Sequence, residues 1–385
     1  MTQDIRDFVT PSCDLLALGE PTHQEPAFGR VRNELFAQLV GRGFRSVALE
    51  TDRVAALTVN DYVQGGAGSL DAVMNDGFSH GWGALAPNRQ LVSWMRDHNR
   101  NRPPEERLVF HGFDTPSETY SAPSPRPYLE HARDYLDFDV DLTGLAGDDD
   151  RWSRAEAVLD PAMSPGATTE AERLRRVADD MFGSLHTRAP ELIDATSRER
   201  WIRARTHLTA GLGLLRYHRQ SAIQPVDSNP RLTALLATRD ALMAQNLLDI
   251  RDVEAARGAT LVFASNLHLQ RNQAGWHLGD VGADWWGAGA TVARLLGDRY
   301  RFVAGSLGRS DALGLGDPVP DTYEAVLQAR FPDWGLTAPD TLSTARTRTR
   351  TDTAPRQGYF PLDRATLDAA DAILHIGDGS AAAQP

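Results

Sequence analysis

Apolar and polar positions alternate between two regimes along this chain: short unbroken apolar runs, and longer stretches in which apolar residues recur three and four positions apart. The first run, residues 14–19, is too short for a helix and shows no alternation, as expected of a strand buried on both faces. It stops at Gly19 and is followed at once by Glu20, Pro21, Thr22 and His23. Over residues 26–41, Phe28, Val31, Leu35 and Leu39 take helical spacing, with Pro26 suited to a first turn and Gly41 and Gly43 to a helix stop. Residues 45–50 form a second apolar run ending in Glu50, residues 52–62 resume a helix, and residues 88–100 predict another. The third run, 107–114, ends in Asp114. Residues 65–82 are glycine-rich and read as a loop or short helix. This strand-helix rhythm predicts an α/β fold with a mainly parallel sheet.

The rhythm changes after Asp114. Prolines and acids suggest an irregular connection to about residue 150, with room for a helix over 128–136. Residues 152–159, 169–186, 191–218 and 231–257 then carry helical periodicity with no strand between them. Strand character returns at 259–266, 300–306 and 372–376, with a helix at about 287–296. The expected architecture is a three-layer core with a large helical insertion: residues 1–114 and 258–376 build the core, 115–257 the insertion or cap, and 377–385 a flexible tail. Residues 341–355 alternate Thr and Arg, as a solvated edge strand or a flexible loop would. No internal repeat is visible.

Composition narrows the chemistry. A chain of 385 residues buries a sizeable core without staples, and its single cysteine, Cys13, excludes an internal disulfide, a Cys-rich zinc site and a CxxC redox motif. That usage fits a reducing compartment, so a cytoplasmic protein is expected. No apolar run approaches the length of a membrane span, and the first ten residues lack a signal peptide's layout. A net charge of −12 argues against a nucleic-acid partner. All of the Lys+Arg total is arginine; the absence of lysine excludes Schiff-base chemistry, a Walker-type lysine and a Ser-Lys dyad. There is no Gly-x-Ser-x-Gly elbow either, so a serine nucleophile is not expected.

What remains is a set of ionisable residues at strand ends. Glu20 and His23 follow the first strand, Glu50 ends the second, Asp114 ends the third and His268 follows the fourth. In an open parallel sheet these ends share one crevice, where carboxylates can orient a histidine and raise its basicity. His80, Trp82, His111, Trp285 and Trp286 are candidate cleft walls. Arg32 shares the apolar side of its helix with Phe28, a costly place for a guanidinium without a partner. The same ligand types would also suit zinc or iron, although no HExxH cluster is present.

The blocks Gly19-Glu-Pro-Thr-His23, Val47-Ala-Leu-Glu50, Gly112-Phe-Asp114, Arg239-Asp240 with Met243-Ala-Gln-Asn246, and Ala264-Ser-Asn-Leu-His268 resemble, in order and spacing, the erythromycin esterase family. The resemblance implies hydrolysis of a macrolide lactone with no metal or organic cofactor. It also implies His23 as general base, with Glu20, Arg32, Glu50 and His268 at active-site positions. Two departures stand out: Ser265 where the family usually has a histidine, and Gln245 where it usually has a glutamate. Together with Asp114, His80 and Trp82 they are candidate substrate contacts. The expected partner is a small-molecule natural product, a macrolide or polyketide-like compound. The alternatives are a biosynthetic enzyme using the same base for cyclisation or elimination, and a non-catalytic binder of an apolar ligand.

Overall fold

The computed structural model describes residues 4–224, 228–342 and 347–380. A seven-stranded sheet runs through its centre, made of β1 (Leu15–Glu20), β2 (Ser46–Asp52), β3 (Val109–Asp114), β4 (Thr260–Ser265), β7 (Tyr300–Arg309), β8 (Trp334–Thr337) and β9 (Ala372–Asp378); β5 (Gln273–Leu278) and β6 (Val281–Trp286) form a separate antiparallel hairpin. The strand order is β3-β2-β4-β1-β7-β9-β8, and every neighbouring pair is parallel except β8 with β9. The α/β class with a mainly parallel sheet is therefore as the apolar runs predict. β4 enters between β1 and β2 although some 200 residues separate it from either in sequence.

Because strand side chains alternate, each apolar run feeds two cores. Leu16, Leu18, Val47, Leu49, Leu261 and Phe263 face one side of the sheet, where they meet Phe28, Val31 and Leu35 of the helix Pro26–Val40, Val59 of Ala55–Val63, and Leu91 and Val92 of Ala86–Asn99. Leu15, Ala17, Ala48, Val262 and Ala264 face the other side and meet Met243, Leu247 and Ile250 of Ser228–Glu254, together with Ala288 and Val292 of Ala288–Leu296. These are the three layers. A third apolar cluster, around Leu129, Trp152, Leu174, Met181 and Leu208, is built from helices between β3 and β4 alone.

The structure departs from the sequence reading in several places. The helix Ser228–Glu254, expected within the insertion, lays its apolar side on the sheet and is a layer of the core. Residues 191–218 divide between two helices, Ala189–Ala195 and Arg198–Ser221. The hairpin β5–β6, the edge strand β8 and the helices Tyr323–Arg330 and Arg364–Ala369 have no counterpart in the sequence reading, whereas Leu70–Asp76 is the short helix that residues 65–82 allowed. In the Thr/Arg stretch, residues 343–346 lie outside the described residues. Arg348 makes one isolated parallel bridge to Thr322, and Arg350 is buried on the carbonyls of Gly308 and Gly316 with Asp352 beside it, so that part is no edge strand, and Arg350 is withdrawn from solvent while Arg348, Thr351 and Asp352 are exposed. β9 continues through Asp378, two residues into the expected tail, and residues 381–385 lie outside the described residues.

Candidate active site

The insertion of β4 places the carboxyl ends of β1, β4 and β2 side by side, with Glu20 in register with Ser265. Gly19 admits this arrangement: a Cβ there would lie 2.1 Å from Oδ1 of Asn266, whose side chain clamps Gly305 through both its amide groups. His23 sits in the turn between β1 and the helix Pro26–Val40. Its Nδ1 lies 2.8 Å from Glu20 Oε1, and its Nε2 is left 3.8 Å from Glu50 Oε1. Burial by itself would lower the His23 pKa. The Glu50 and Glu20 carboxylates outweigh it and hold the imidazole above its ordinary value. Glu20 is itself pushed up by desolvation, against the pull of His23.

Glu50 is the electrostatic centre. His268 Nε2 at 3.3 Å, His23, and Arg239 Nη2 at 3.3 Å surround its Oε1, and the Ser265 backbone N–H donates to Oε2 at 2.9 Å. Burial opposes its ionisation, but His268 and His23 dominate and its pKa falls well below the usual carboxylate range. His268 in turn lies between two carboxylates, with Nδ1 2.9 and 3.0 Å from the two oxygens of Asp240. Against the burial penalty, Asp240 and Glu50 push its pKa up to about 10. Both ring nitrogens face carboxylates, an arrangement that favours the protonated ring.

Arg32 is 1% exposed, yet among the described residues no carboxylate lies within ion-pair distance of it. Its donors go to amide and carbonyl oxygens: Nη1 to Asn88 Oδ1 at 2.9 Å, Nε and Nη2 to Asn33 Oδ1, and Nη2 to the Pro87 carbonyl at 3.4 Å. Its guanidinium stacks over the Phe263 ring, and desolvation lowers its pKa to about 10. The partners its position calls for are thus neutral oxygens, and it makes no ion pair with Glu20 or Glu50. Glu20, His23, Arg32, Glu50 and Trp82 instead line one cavity of about 30 Å³, room for a water molecule.

The remaining candidates separate from this cavity. Asp114 is bonded by Arg239 through Nε at 3.0 Å and Nη2 at 2.5 Å, and by His80 Nε2 at 3.1 Å. Despite burial, Arg239 and His80 lower the Asp114 pKa to about 2. His80 reaches Glu118 with its other nitrogen at 2.9 Å, so its ring is held by two acids and does not face the cavity. The Ser265 hydroxyl accepts from the Leu267 N–H at 3.3 Å and caps the short helix Asn266–Leu269. Gln245 is exposed, receives Arg216, and lines a different depression beside Asp114. His111 pairs with Glu254, Trp286 is exposed, and Trp285 donates its indole N–H to Asp240 at 2.7 Å. None of these seven lines the water-sized cavity.

Sequence reasoning assigned no site role to Arg239 and Asp240, although both lie in a recognisable block. Arg239 joins Glu50 to Asp114, and Asp240 orients His268. The available signal was an adjacent charged pair inside a helix whose neighbours are apolar. Asn88 left no comparable signal. Among the described residues no group of three or more His, Cys, Asp or Glu side chains is arranged to hold a metal ion.

A three-layer α/β core with a histidine held between carboxylates at the carboxyl edge of its sheet defines the class of molecule. Within that class, the chain belongs to the erythromycin esterase family, whose sequence profile matches residues 40–379. Glu20, His23 and Arg32 precede the matched segment. Three solved structures share the fold at low identity. A Bacillus cereus protein aligns with a TM-score of 0.69 at 17% identity, covering 97% of this chain and 90% of its own. A histidine-to-asparagine mutant of erythromycin esterase EreC in its open conformation gives 0.64 at 19%, covering 96% and 91%. A succinoglycan biosynthesis protein gives 0.60 at 17%, covering 96% and 88%. No curated protein sequence matches significantly. Among the described residues no helix is long and apolar enough to cross a membrane.

Proposed function

We propose that this protein hydrolyses an ester or lactone bond in a bulky natural product, with His23 as the general base. The observation that carries the reading is the His23 ring itself: Nδ1 is taken by Glu20, leaving Nε2 directed to a water-sized cavity that also contains the Arg32 guanidinium. In the deprotonated ring Nδ1–H donates to Glu20 and Nε2 is the free acceptor. Nε2 takes a proton from water as the hydroxide oxygen bonds to the carbonyl carbon. The carbonyl oxygen becomes an oxyanion, which the buried Arg32 guanidinium stabilises. Collapse of the tetrahedral intermediate breaks the bond to the alkoxy oxygen, and the imidazolium returns its proton there. The products are a carboxylic acid and an alcohol, joined in one open chain when the substrate is a lactone.

Glu50, neutralised by His268 and Arg239, supports the imidazolium that forms on His23 without competing for the proton. The cavity has room for a water but not for a macrocycle, so the reacting carbonyl meets that water at the cavity mouth and the body of the substrate lies outside, against Trp82 and Leu85. His23 is 38% exposed in its side chain, which gives that carbonyl a path to Nε2.

The test is incubation of the protein with erythromycin in heavy-oxygen water, followed by mass spectrometry. Label in a ring-opened product, lost in His23→Ala, is the expected result. An unlabelled isomer would instead indicate proton-transfer chemistry at the same base, and turnover by His23→Ala at the wild-type rate would refute the mechanism.

A further inference from the structure

The helix Ala86–Asn99 begins without a side-chain cap: its N-cap residue is Leu85. Asn88, in the first turn, has a side chain able to cap a helix end, yet both ends of its amide are engaged elsewhere. Its Oδ1 accepts from Arg32 Nη1 at 2.9 Å, and its Nδ2 donates to the Trp82 carbonyl at 3.1 Å. Asn88 is 4% exposed and lines the same cavity as His23. Trp82 lies against the His23 ring with centroids 4.8 Å apart. One buried amide therefore connects the guanidinium at one wall of the cavity to the segment carrying the indole at another.

The surrounding packing is built around this link. Gly29 lets the helix Pro26–Val40 approach the start of Ala86–Asn99 closely; a Cβ there would lie 2.8 Å from Pro87 Cβ. The Pro87 carbonyl accepts from Asn33 Nδ2 at 2.8 Å and from Arg32 Nη2. Neutral partners leave the Arg32 charge uncompensated, so it remains available to a developing anion. A carboxylate in the place of Asn88 would consume it.

We propose that Asn88 is a positioning residue for this site, holding Arg32 directed at the cavity while tethering Trp82 against His23. The proposal rests on the esterase reading for its catalytic consequence, but not for its geometric one. An amide at this position supplies an acceptor for the guanidinium and a donor for the carbonyl, and neither alanine nor aspartate supplies both.

The experiment compares wild type with Asn88→Ala and Asn88→Asp in the full chain, with folding of each variant checked by circular dichroism. Erythromycin hydrolysis is expected to lose about ten- to a hundredfold in kcat with Asn88→Ala, because misplacing a stabilising group costs that order of rate, while KM changes by less than about threefold. Asn88→Asp, nearly isosteric, is expected to lose at least as much by neutralising Arg32. In parallel, the nuclear Overhauser contact between the Trp82 indole and the His23 ring is expected to weaken in both variants. Wild-type kcat in Asn88→Asp, or an unchanged Trp82–His23 contact in both variants, overturns the proposal. If wild type leaves erythromycin intact, the lactone reading fails on that result, and the Trp82–His23 contact alone decides the role of Asn88.

Discussion

Replacing Asp240 by asparagine is expected to loosen three segments at once. The carboxylate is fully buried and accepts from His268 Nδ1 at 2.9 and 3.0 Å, from the Trp285 indole at 2.7 Å and from the Ala288 backbone N–H at 2.8 Å. It thus holds the base of the hairpin β5–β6, the start of the helix Ala288–Leu296, and a buried imidazolium. An asparagine amide keeps one acceptor oxygen and puts an NH₂ in place of the other. Whichever way the amide turns, that NH₂ faces either the Ala288 N–H or the Trp285 indole, both donors. The larger loss is electrostatic, since a buried cation deprived of one of its two carboxylates is left partly uncompensated, which costs about 3–5 kcal/mol when a buried pair is broken.

Against a total stability of about 5–15 kcal/mol, that loss is large but survivable. Urea unfolding should show a lower midpoint with an unchanged slope. Because His268 is the partner, Asp240→Asn and His268→Gln should be non-additive, the double variant losing about 1–3 kcal/mol less than the sum of the singles. A loss below about 1 kcal/mol for Asp240→Asn, the size of an ordinary substitution, would refute the assignment of His268 as a charged group held by Asp240.

Hydrolysis should rise with pH as His23 loses its proton, with a midpoint above the ordinary value of 6.5 because Glu50 and Glu20 favour the charged ring; a pH profile of kcat/KM checks this, and Glu20→Gln should move the midpoint down. For Asp114 the folded pKa is depressed to about 2, so its contribution to stability is present above the unfolded carboxylate value of about 3.9 and is lost as pH falls towards 2; Asp114→Asn should flatten unfolding midpoints measured across that window. Ser265→Ala removes a cap of Asn266–Leu269 and should cost about 1 kcal/mol by urea unfolding, while the backbone N–H that serves Glu50 remains.

The central strands were readable because strands buried on both faces need unbroken apolar runs, and β1, β2 and β4 all have them. The hairpin β5–β6 lacked that signature: its residues are mixed, and both Leu278 and Val281 are exposed. β8 is four residues long and antiparallel at the sheet edge, too short to show a period. Glu20, His23, Glu50 and His268 could be nominated because strand ends are places the sequence marks. Their partners could not. Arg239, Asp240 and Asn88 all lie on helices: Asn88 reads the same there whether it meets water or a buried charge, and the other two offered only an adjacent charged pair among apolar neighbours, which does not say what they meet.

The sequence by itself determined the layered α/β class, the absence of lysine and disulfide chemistry, and the Glu20–His23 pair, because each depends on local pattern or residue type. Tertiary structure decided the rest. Parallel pairing carries no local code for which strand lies beside which, so only the folded sheet brings β4 between β1 and β2 and His268 to Glu50. The same packing set His268 between two carboxylates that favour its charged form and left Arg32, among the described residues, without an ion-pair partner. A group's charge and reach depend on the neighbours that burial gives it, and those neighbours come from other segments of the chain, 28 residues away for Asp240 and His268 and 56 for Asn88 and Arg32.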